Sequence, residues 1–591
     1  MPKPFAFYQT EINEHKEALV RVKSQLLTSS MIRLVIFLLA ALGVYVFFEN
    51  TRIVIGLVVV VIIIFLFLVS RHTDLLYKRD KLKKLIDLNE VEIQVLHRKF
   101  KHLPTGDEFK DSDHFYSQDI DLFGIGSFYQ YINRTSLPEG SVLLAFTLKE
   151  NSIENIRGKQ KGLRELGNMP KWRQNFSATA SLAKTETTTN AVVRWIDNYK
   201  PFVPKVIGVI PWVFSGLSLV FFGLFFGDFI SASVLLYWML FGLFITGLFT
   251  KKVMTLVAGT GKLQSIFEQY NQLLGLIETQ EFTSEVYKAK KVEILSEGKR
   301  TSLVLKEFSK LLADLDQNNN ILYLIFGNGL FLRGLYTCYK IEKWLAIHGT
   351  SVKNWFDVIA FFDAQNSLGN FVFNHPEYAF PILSENKGVI RSERAGHPLL
   401  APEKSVLNDY EIAKEDFFII TGANMAGKST FLRTVSLQIV MANIGLPVCA
   451  KSMEYNPIKL ITSMRTTDSL TDDESYFFSE LQRLKFIVDE IQRDNYFIVL
   501  DEILKGTNST DKAKGSRKFV ERLVSSKSTG IIATHDLSLC EVSQALPQVK
   551  NYYFDAEIID DELHFDYIFK KGICQNMNAS FLLRKMGIVN E

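Results

Sequence analysis

The residues best suited to chemistry lie in a glycine-rich stretch that follows an apolar, β-branched run at residues 417–420. The spacing Gly422-x4-Gly427-Lys428-Ser429 is that of a phosphate-binding loop, and a segment with helical periodicity follows it. In such a loop, backbone N–H groups and the helix N-terminus face the phosphates, the lysine neutralises their charge and the hydroxyl can ligate Mg²⁺. The predicted ATP-binding residues are Gly422, Ala423, Asn424, Met425, Ala426, Gly427, Lys428, Ser429 and Thr430. The alternative is an ordinary glycine turn between a strand and a helix.

Two later apolar runs, each the length of a buried strand, end in polar residues. The first ends in Asp501 and Glu502, and the second ends just before His535. Open α/β sheets bind ligands at the carboxyl ends of their strands. We therefore expect Ser429 and Asp501 to hold Mg²⁺, Glu502 to activate water, and His535 to lie beside the γ-phosphate. Each signal is weak alone, because acidic pairs are usually solvated and single histidines are usually structural, but together they predict an ATPase.

The same stretches resemble the nucleotide-binding domain of the MutS family. The matching sequences are TGANMAGKST at 421–430, IVLDEILKGTNSTDKAKG at 498–515 and IIATHDLSLCE at 531–541, with further matches at 394–399, 406–409 and 564–587. A weaker resemblance to the start of the family's helical core covers 121–135, 156–157 and 165–166. The resemblance implies an α/β P-loop ATPase domain of the ABC and MutS type and an all-α core domain, with ATP and Mg²⁺ as ligands.

Residues 465–481 resemble the family segment that reaches into the nucleotide site of a partner subunit. Ser475 falls at the position that contacts the opposite γ-phosphate, which implies a homodimer with two composite sites. The family's glycine before this serine is replaced by Asp472, Asp473 and Glu474. These carboxylates would repel phosphate unless a cation offsets them, and the alternative is a solvated acidic turn before a helix.

Four apolar runs have about the length needed to cross a bilayer. They occur in two pairs, 31–48 with 53–70 and 206–227 with 229–250. We interpret them as two transmembrane helical hairpins with four spans. Basic residues flank the pairs at 16–33, 78–84 and 251–252, which places both termini and the ATPase domain in the cytoplasm, at the inner membrane.

These observations predict seven segments. They are a cytoplasmic N-terminal segment at 1–30, hairpin 1 at 31–70, a charged helix and linker at 71–118, a helical core-like segment at 119–205, hairpin 2 at 206–250, a helical core or lever-like segment at 251–384, and the ATPase domain at 385–591. The charged helix at 74–100 has apolar residues at helical spacing, so it either pairs two chains or packs on its own domain. Amphipathic helices are expected at 309–342 and 355–371. In this order hairpin 2 interrupts the long helices where the MutS family carries its DNA clamp.

Composition does not point to nucleic acid. The chain has 591 residues, with 67 basic against 64 acidic side chains and a net charge of +3. The four cysteines have no metal-binding spacing and are expected to be reduced. The first 70 residues leave no room for a mismatch-reading domain, and the Phe-x-Glu triplets at 47–49, 478–480 and 519–521 are attributed to chance. Basic clusters at 157–164 and 512–518 could contact phosphate backbones, although such clusters are more often solvated helix faces.

The sequence therefore predicts a membrane-anchored MutS-type ATPase that undergoes a conformational switch. Its expected partners are a second copy of the chain, membrane lipids and an unidentified protein. The alternative is a DNA-binding repair or recombination factor tethered to the membrane. A transporter is a weaker alternative, because the predicted spans place no ionisable residue deep in the membrane.

Overall fold

The computed structural model describes residues 4–182, 188–261, 263–296, 299–384, 388–465, 476–505, 508–559 and 562–575. Up to residue 374 the described chain is almost entirely helical, and beyond it strands and helices alternate. The helices of the first part are α1 (Pro4–Val46), α2 (Thr51–Leu96), α3 (Phe128–Ile132), α4 (Pro138–Lys149), α5 (Ile156–Gly167), α6 (Pro170–Ala180), α7 (Thr189–Asn198), α8 (Ile210–Phe226), α9 (Ala232–Gly247), α10 (Thr250–Thr260), α11 (Gln264–Thr279), α12 (Glu285–Val292), α13 (Thr301–Asp316), α14 (Asn328–Phe331), α15 (Arg333–His348) and α16 (Val352–Asn374). A short pair of strands, β1 (Leu295–Ser296) and β2 (Lys299–Arg300), precedes α13.

The first two helices form a long antiparallel hairpin. Helix α1 has 43 residues and α2 has 46, so α2 alone is about 69 Å long. The predicted N-terminal segment and charged helix are therefore not separate elements, because each is continuous with an apolar run. The apolar halves are exposed, as Leu39 at 61% and Phe67 at 66% illustrate. The polar halves pack together around Val22, Leu26 and Leu82.

The polar half of α2 packs on its own chain. The Tyr77 hydroxyl donates to Gln272 Oε1 over 2.6 Å, and Asn89 and Gln174 exchange hydrogen bonds between buried side chains. Of the two expectations for the charged helix, the structure thus favours packing on its own domain.

The second predicted hairpin is shorter than expected. Helices α8 and α9 have 17 and 16 residues, and α9 meets α10 at a bend of 65°. In the described part of the chain, two helices, α1 and α2, are long and apolar enough to cross a membrane, or three if α9 and α10 are counted as one bent span. The prediction of two complete hairpins with four spans is therefore wrong. The apolar run 206–227 is α-helical only from Ile210 onward, because a 3₁₀ turn, Lys205–Gly208, comes first and Pro211 lies in the first turn of α8.

A third apolar element packs against α8 and α9. The expected continuous helix at 309–342 is wrong, because α13 ends at Asp316 and a π-helical turn, Tyr323–Gly327, leads into α14. Ser218 Oγ donates to the Leu330 carbonyl and accepts from Trp238 Nε1. Gly242 faces the Gly329 carbonyl so closely that a Cβ would lie 2.1 Å from the oxygen. The apolar runs that were predicted to cross a bilayer thus form short helices, α8 and α9, which pack with α14 in one cluster.

The second part of the chain is built on two sheets. Its elements are β3 (Ile382–Leu383), β4 (Gly388–Ala395), β5 (Asn408–Ala413), β6 (Phe417–Gly422), α17 (Lys428–Asn443), β7 (Ser452–Tyr455), β8 (Lys459–Ser463), α18 (Tyr476–Glu490), β9 (Tyr496–Asp501), α19 (Ser509–Ser525), β10 (Thr529–Ala533), α20 (Val542–Ala545), β11 (Val549–Phe554), β12 (Glu557–Ile559), β13 (Glu562–His564) and β14 (Lys570–Lys571). The larger sheet has the order β14-β11-β6-β10-β9-β8 and is parallel except at β14. The smaller sheet has the order β3-β7-β4-β5.

The three predicted strands before the polar residues are confirmed as β6, β10 and β9, which are neighbours in the larger sheet. Their register pairs Ile420 with Ala533 and Ala533 with Asp501. Because parallel neighbours end at the same edge, the loop after β6 and the polar ends of β9 and β10 meet there.

A buried polar network joins the first hairpin to the helical core. Glu92 on α2 receives Arg134 Nε at 2.5 Å, and both side chains are at most 10% exposed. The second carboxylate oxygen of Glu92 accepts from Asn374 of α16 at 2.8 Å, and Asn374 in turn accepts from the Tyr8 hydroxyl of α1 at 2.6 Å. Both hairpin helices are thus tied to the same end of α16.

This network predicts that substitutions at Glu92 and at Glu90, which lie two residues apart on α2, lower the free energy of unfolding by very different amounts. Glu92→Gln leaves the buried Arg134 charge without its counter-ion, which costs roughly 3–5 kcal/mol. Glu90→Gln breaks an exposed pair with Lys16, whose side chains are 56% and 47% exposed, and is expected to cost about 0–1 kcal/mol. Thermal unfolding in detergent checks this, and equal shifts of the midpoint for the two variants would contradict it.

Candidate active site

The loop between β6 and α17 depends on two glycines. Gly422 has φ +143°, and a Cβ there would lie 2.5 Å from the Phe554 carbonyl oxygen of the neighbouring strand. Gly427 has φ +103° and immediately precedes the first turn of α17. A side chain at either position would be strained, so the loop requires the residue type that the motif supplies. The loop therefore brings backbone close to the N-terminus of a 16-residue helix.

Lys428 turns its ammonium group into this loop. Its Nζ donates to the carbonyls of Gly422 at 2.8 Å and Ala423 at 3.0 Å, and the residue is only 6% exposed. Burial lowers the pKa of Lys428, while the nearby carboxylates of Asp501 and Glu502 act to raise it. The result is a cation held beside the loop by carbonyls and carboxylates.

Ser429 and Asp501 form a pair of oxygen donors. The Ser429 hydroxyl donates to Asp501 Oδ2 at 2.7 Å. Burial raises the pKa of Asp501, and the hydrogen bond from Ser429 opposes that shift. A hydroxyl and a carboxylate are the hard ligands that Mg²⁺ prefers, and Mg²⁺ usually takes its other ligands from water and substrate phosphates. A pair of one hydroxyl and one carboxylate fits such a shared site.

Glu502 and His535 are in direct contact at the ends of β9 and β10. His535 Nε2 lies 2.8 Å from Glu502 Oε1 and 3.2 Å from Lys428 Nζ. An Nε2–H would donate to the carboxylate, and the Lys428 ammonium, which faces the same nitrogen, would then make no hydrogen bond to it. The hydrogen bond from His535 lowers the pKa of Glu502 to about 2, against the opposing effect of burial. The carboxylate is thus ionised at neutral pH, and its orientation is fixed by the imidazole.

The opposite wall of the site was not predicted residue by residue. The loop, the carboxylates and this wall enclose a cavity of about 720 Å³. The wall includes His397, Val406, Asn408, Phe554 and Tyr567. The first three lie in or between the stretches 394–399 and 406–409, where the resemblance was visible but suggested no role. A cavity of this size can hold a nucleotide-sized ligand.

His397 is an ionisable group of this wall. Burial lowers its pKa to about 4, and the nearby Arg433 acts in the same direction. Its ring is therefore neutral at physiological pH. Its Nδ1 accepts from the Leu399 backbone at 3.3 Å, which fixes the ring against its own loop.

Glu480 is a further residue that sequence reasoning missed. It belongs to a Phe-x-Glu triplet that was attributed to chance, yet its carboxylate is 3% exposed and accepts from the backbone N–H groups of Leu504 and Lys505. Those N–H groups follow Glu502 directly, and both Glu502 and Leu504 have positive φ. Glu480 thus holds the strained turn that presents the predicted base.

The linker that follows α2 contacts the elements that flank the phosphate loop. Asp121 pairs with Arg465 over 2.6 and 3.0 Å and with Arg433 of α17 over 3.2 Å. Asp119 accepts from the Arg465 backbone at 2.8 Å and from the Thr462 hydroxyl at 2.5 Å. The linker therefore contacts the helix that follows the phosphate loop and the end of β8.

The remaining predicted residues divide into two groups. Asn424, Met425, Ala426 and Thr430 lie in the loop or first turn of α17, where Met425 is 79% exposed and Ala426 is buried. Ser475 and the acidic residues 472–474 lie outside the described residues, so the trans-acting role of Ser475 stays a prediction.

The basic cluster at 157–164 packs in part on the ATPase domain, since Arg164 lies over the Phe380 ring and Lys159 reaches the Asn443 carbonyl.

Comparison with known proteins agrees with this geometry. A family model described as MutS domain V matches residues 418–584. The human protein named MutS protein homolog 4 is 31% identical over 213 residues, which are 34% of this chain and 22% of that protein. The DNA mismatch repair protein MutS of Methanococcoides burtonii is 31% identical over 237 residues, 38% of this chain and 26% of that protein. The protein of the same name from Chlorobaculum tepidum is 28% identical over 305 residues, 49% of this chain and 33% of that protein.

This chain thus spans a third or less of the length of these relatives. The family model lies within the part of the chain that forms the two sheets and contains every residue predicted to bind ATP or Mg²⁺. The similarity therefore supports the assignment of that part most directly.

The contact between Glu502 and His535 predicts a pH-dependent contribution to stability. Because the pKa of Glu502 falls from 4.5 to about 2 on folding, its stabilising effect is present above pH 4.5 and is lost as the pH falls toward 2. The thermal midpoint of the wild type should exceed that of Glu502→Gln by a constant amount between pH 6 and 8 and approach it in acid. A difference that grows on acidification would contradict this assignment.

Proposed function

Because this chain belongs to the MutS family through its domain V, we propose that it is a membrane-anchored ATPase in which ATP binding and hydrolysis drive a conformational change. The observation that carries this proposal is the continuity of α2. One helix begins in an exposed apolar surface and ends beside residues that contact the ATPase domain.

The proposed chemistry uses residues that the structure brings together. The loop backbone and Lys428 bind the phosphates of ATP, while Ser429 and Asp501 hold Mg²⁺. Bound Mg²⁺ would neutralise phosphate charge as the terminal bond breaks. Glu502 would accept a proton from the attacking water, and His535, which contacts both Glu502 and Lys428, would orient Glu502. Without nucleotide, Lys428 donates to a loop carbonyl and Ser429 donates to Asp501. Nucleotide binding would replace these hydrogen bonds with contacts to phosphate and Mg²⁺.

Membrane anchoring is supported by exposed apolar surface. The apolar halves of α1 and α2 carry side chains such as Leu39, Phe67 and Ile63 that are more than 60% exposed. Apolar surface of this extent is unfavourable in water, and the length of these halves suits a bilayer. Helices α8 and α9 would enter the same membrane less deeply. Basic flanks place both termini and the ATPase domain on the cytoplasmic side of an inner membrane.

The route from the hairpin to the site is a chain of direct contacts. After α2 ends, Arg98 donates to the Pro398 carbonyl and lies 5.0 Å over the Tyr131 ring. The following linker carries Asp119 and Asp121, which hold α17 and the end of β8. Movement of α17 on nucleotide binding would therefore be transmitted to the polar half of α2.

A homodimer with Ser475 acting on the partner's nucleotide completes the proposal. The segment that begins at Arg465 would carry Ser475 to the partner's nucleotide site. Asp121 forms an ion pair with Arg465, the first residue of that segment. The alternative, a tethered DNA repair or recombination factor, is favoured by the names of two relatives, each called a DNA mismatch repair protein.

ATP turnover in lipid nanodiscs tests the chemistry. Glu502→Gln is expected to lower turnover at least 100-fold while retaining nucleotide binding, because a positioned base contributes about 10²–10⁴-fold. Lys428→Ala is expected to lose binding of a fluorescent ATP analogue. Turnover by Glu502→Gln within tenfold of wild type would remove Glu502 from its assigned role.

DNA titration into the same assay separates the two functions. Homoduplex, mismatched and branched DNA are added at two salt concentrations, with Glu502→Gln as the blank. Turnover that does not respond to any of them supports the membrane-coupled function. Salt-sensitive stimulation or inhibition would support the DNA-binding alternative instead.

Hydrogen exchange tests the coupling. In the Glu502→Gln background, ATP should change exchange both in the phosphate loop and in residues 82–96 of α2. Asp121→Ala should abolish the response of α2 but keep that of the loop, whereas Asp113→Ala, at an exposed position in the same linker, should keep both. Loss of both responses in Asp121→Ala, or of neither, would contradict the proposed route.

A further inference from the structure

A groove of about 240 Å³ lies where α8 begins, between the end of α13 and the start of α15. Its polar lining residues are Trp212, Ser215, Asp314, Arg333, Tyr336 and Lys340, together with Thr337. It is far along the chain from the nucleotide site and shares no residue with the cavity there. The function proposed above gives it no role.

Two cations dominate the charge of the groove. Arg333 is the first residue of α15, and Lys340 lies two turns later on the same helix face, with Tyr336 between them. Lys340 Nζ lies 4.5 Å from the centre of the Tyr336 ring. Both cations are exposed, and neither forms a salt bridge within the described part of the chain. Arg333 lies 6.0 Å from the centre of the Tyr323 ring. Asp314 lines the groove as well, so two cations face one carboxylate.

The groove lies at the boundary between apolar and polar surfaces. Trp212 is 66% exposed, and its Nε1 donates to the Tyr336 hydroxyl at 3.0 Å. From Trp212 onward α8 exposes Val213, Leu217 and Val220, whereas α15 buries Leu335 and Ile341 in the helical core. Tryptophan and tyrosine are enriched where helices pass through lipid headgroups. The groove therefore lies at the depth of phospholipid phosphates if α8 enters a membrane.

We propose that this groove binds the phosphate of an anionic phospholipid headgroup. The guanidinium and ammonium groups would pair with the phosphate oxygens, and Ser215 adds a hydroxyl. The excess of cations over carboxylates favours a lipid with net negative charge over a zwitterionic one. Pro211 and Phe331 supply an apolar wall for the start of the acyl chains. This inference rests on the proposed membrane anchoring.

Native mass spectrometry of the full-length protein in detergent tests the site. Phosphatidylglycerol and phosphatidylcholine are titrated into wild type and into the double variant Arg333→Gln/Lys340→Gln. The matched control is Lys306→Gln/Lys343→Gln, which removes two exposed lysines from α13 and α15 outside the groove. We expect the double variant to bind phosphatidylglycerol at least tenfold more weakly, with phosphatidylcholine binding unchanged and the control like wild type.

Three outcomes would overturn the proposal. They are equal loss in both double variants, no preference of wild type for phosphatidylglycerol, and full displacement of that lipid by millimolar inorganic phosphate, which would mark a free-phosphate site. Liposome flotation separates this failure from failure of membrane anchoring. A protein that floats but shows no lipid preference contradicts only the headgroup site, whereas one that does not float contradicts the anchoring. Unchanged ATP turnover in the double variant verifies that it is folded.

Discussion

The ion pair between Glu92 and Arg134 is the interaction on which the arrangement of the molecule depends. The apolar halves of α1 and α2 are almost fully exposed, whereas the polar halves contact the rest of the chain, so the hairpin is held through its polar halves. Removing two charges from water is costly, and here the cost is offset by further hydrogen bonds from Asn374 and by the contact of Asn374 with Tyr8. These partners come from α1, α2 and α16, and the network therefore fixes the hairpin in one orientation.

That orientation matters because the same helix leads directly into the linker that supports the nucleotide site. Asp119 and Asp121 contact backbone and side chains on two sides of the phosphate loop, from α17 to the end of β8. Glu480 holds the turn after Glu502 from a third side. The loop and the polar residues beside it are thus held by contacts from both the helical part and the two-sheet part of the chain.

The two apolar regions differ in kind. Helices α1 and α2 are straight runs long enough to cross a bilayer, while α8, α9 and the piece around Gly329 form a shorter packed cluster. The cluster is held by close backbone approach at Gly242 and by the hydrogen bonds of Ser218, as is common among helices in membranes. Its exposed surface is apolar, unlike the basic surface that binds a nucleic-acid backbone. The insertion between the core helices is therefore an apolar and closely packed element.

The sequence by itself determined the features that rest on local spacing. The strand, loop and helix around Lys428 follow from glycine positions and a short apolar run, and the apolar stretches follow from composition. Tertiary structure decided how the short apolar helices are arranged, because α8 and α9 both pack closely against α14 through Ser218 and Gly242. It also decided which distant residues complete the site: Glu480, His397 and Asp121 lie far from the loop in sequence, and their roles arise only when the chain folds them against it. Pairings of this range leave no periodic or local signal in one sequence, so only the fold reveals them.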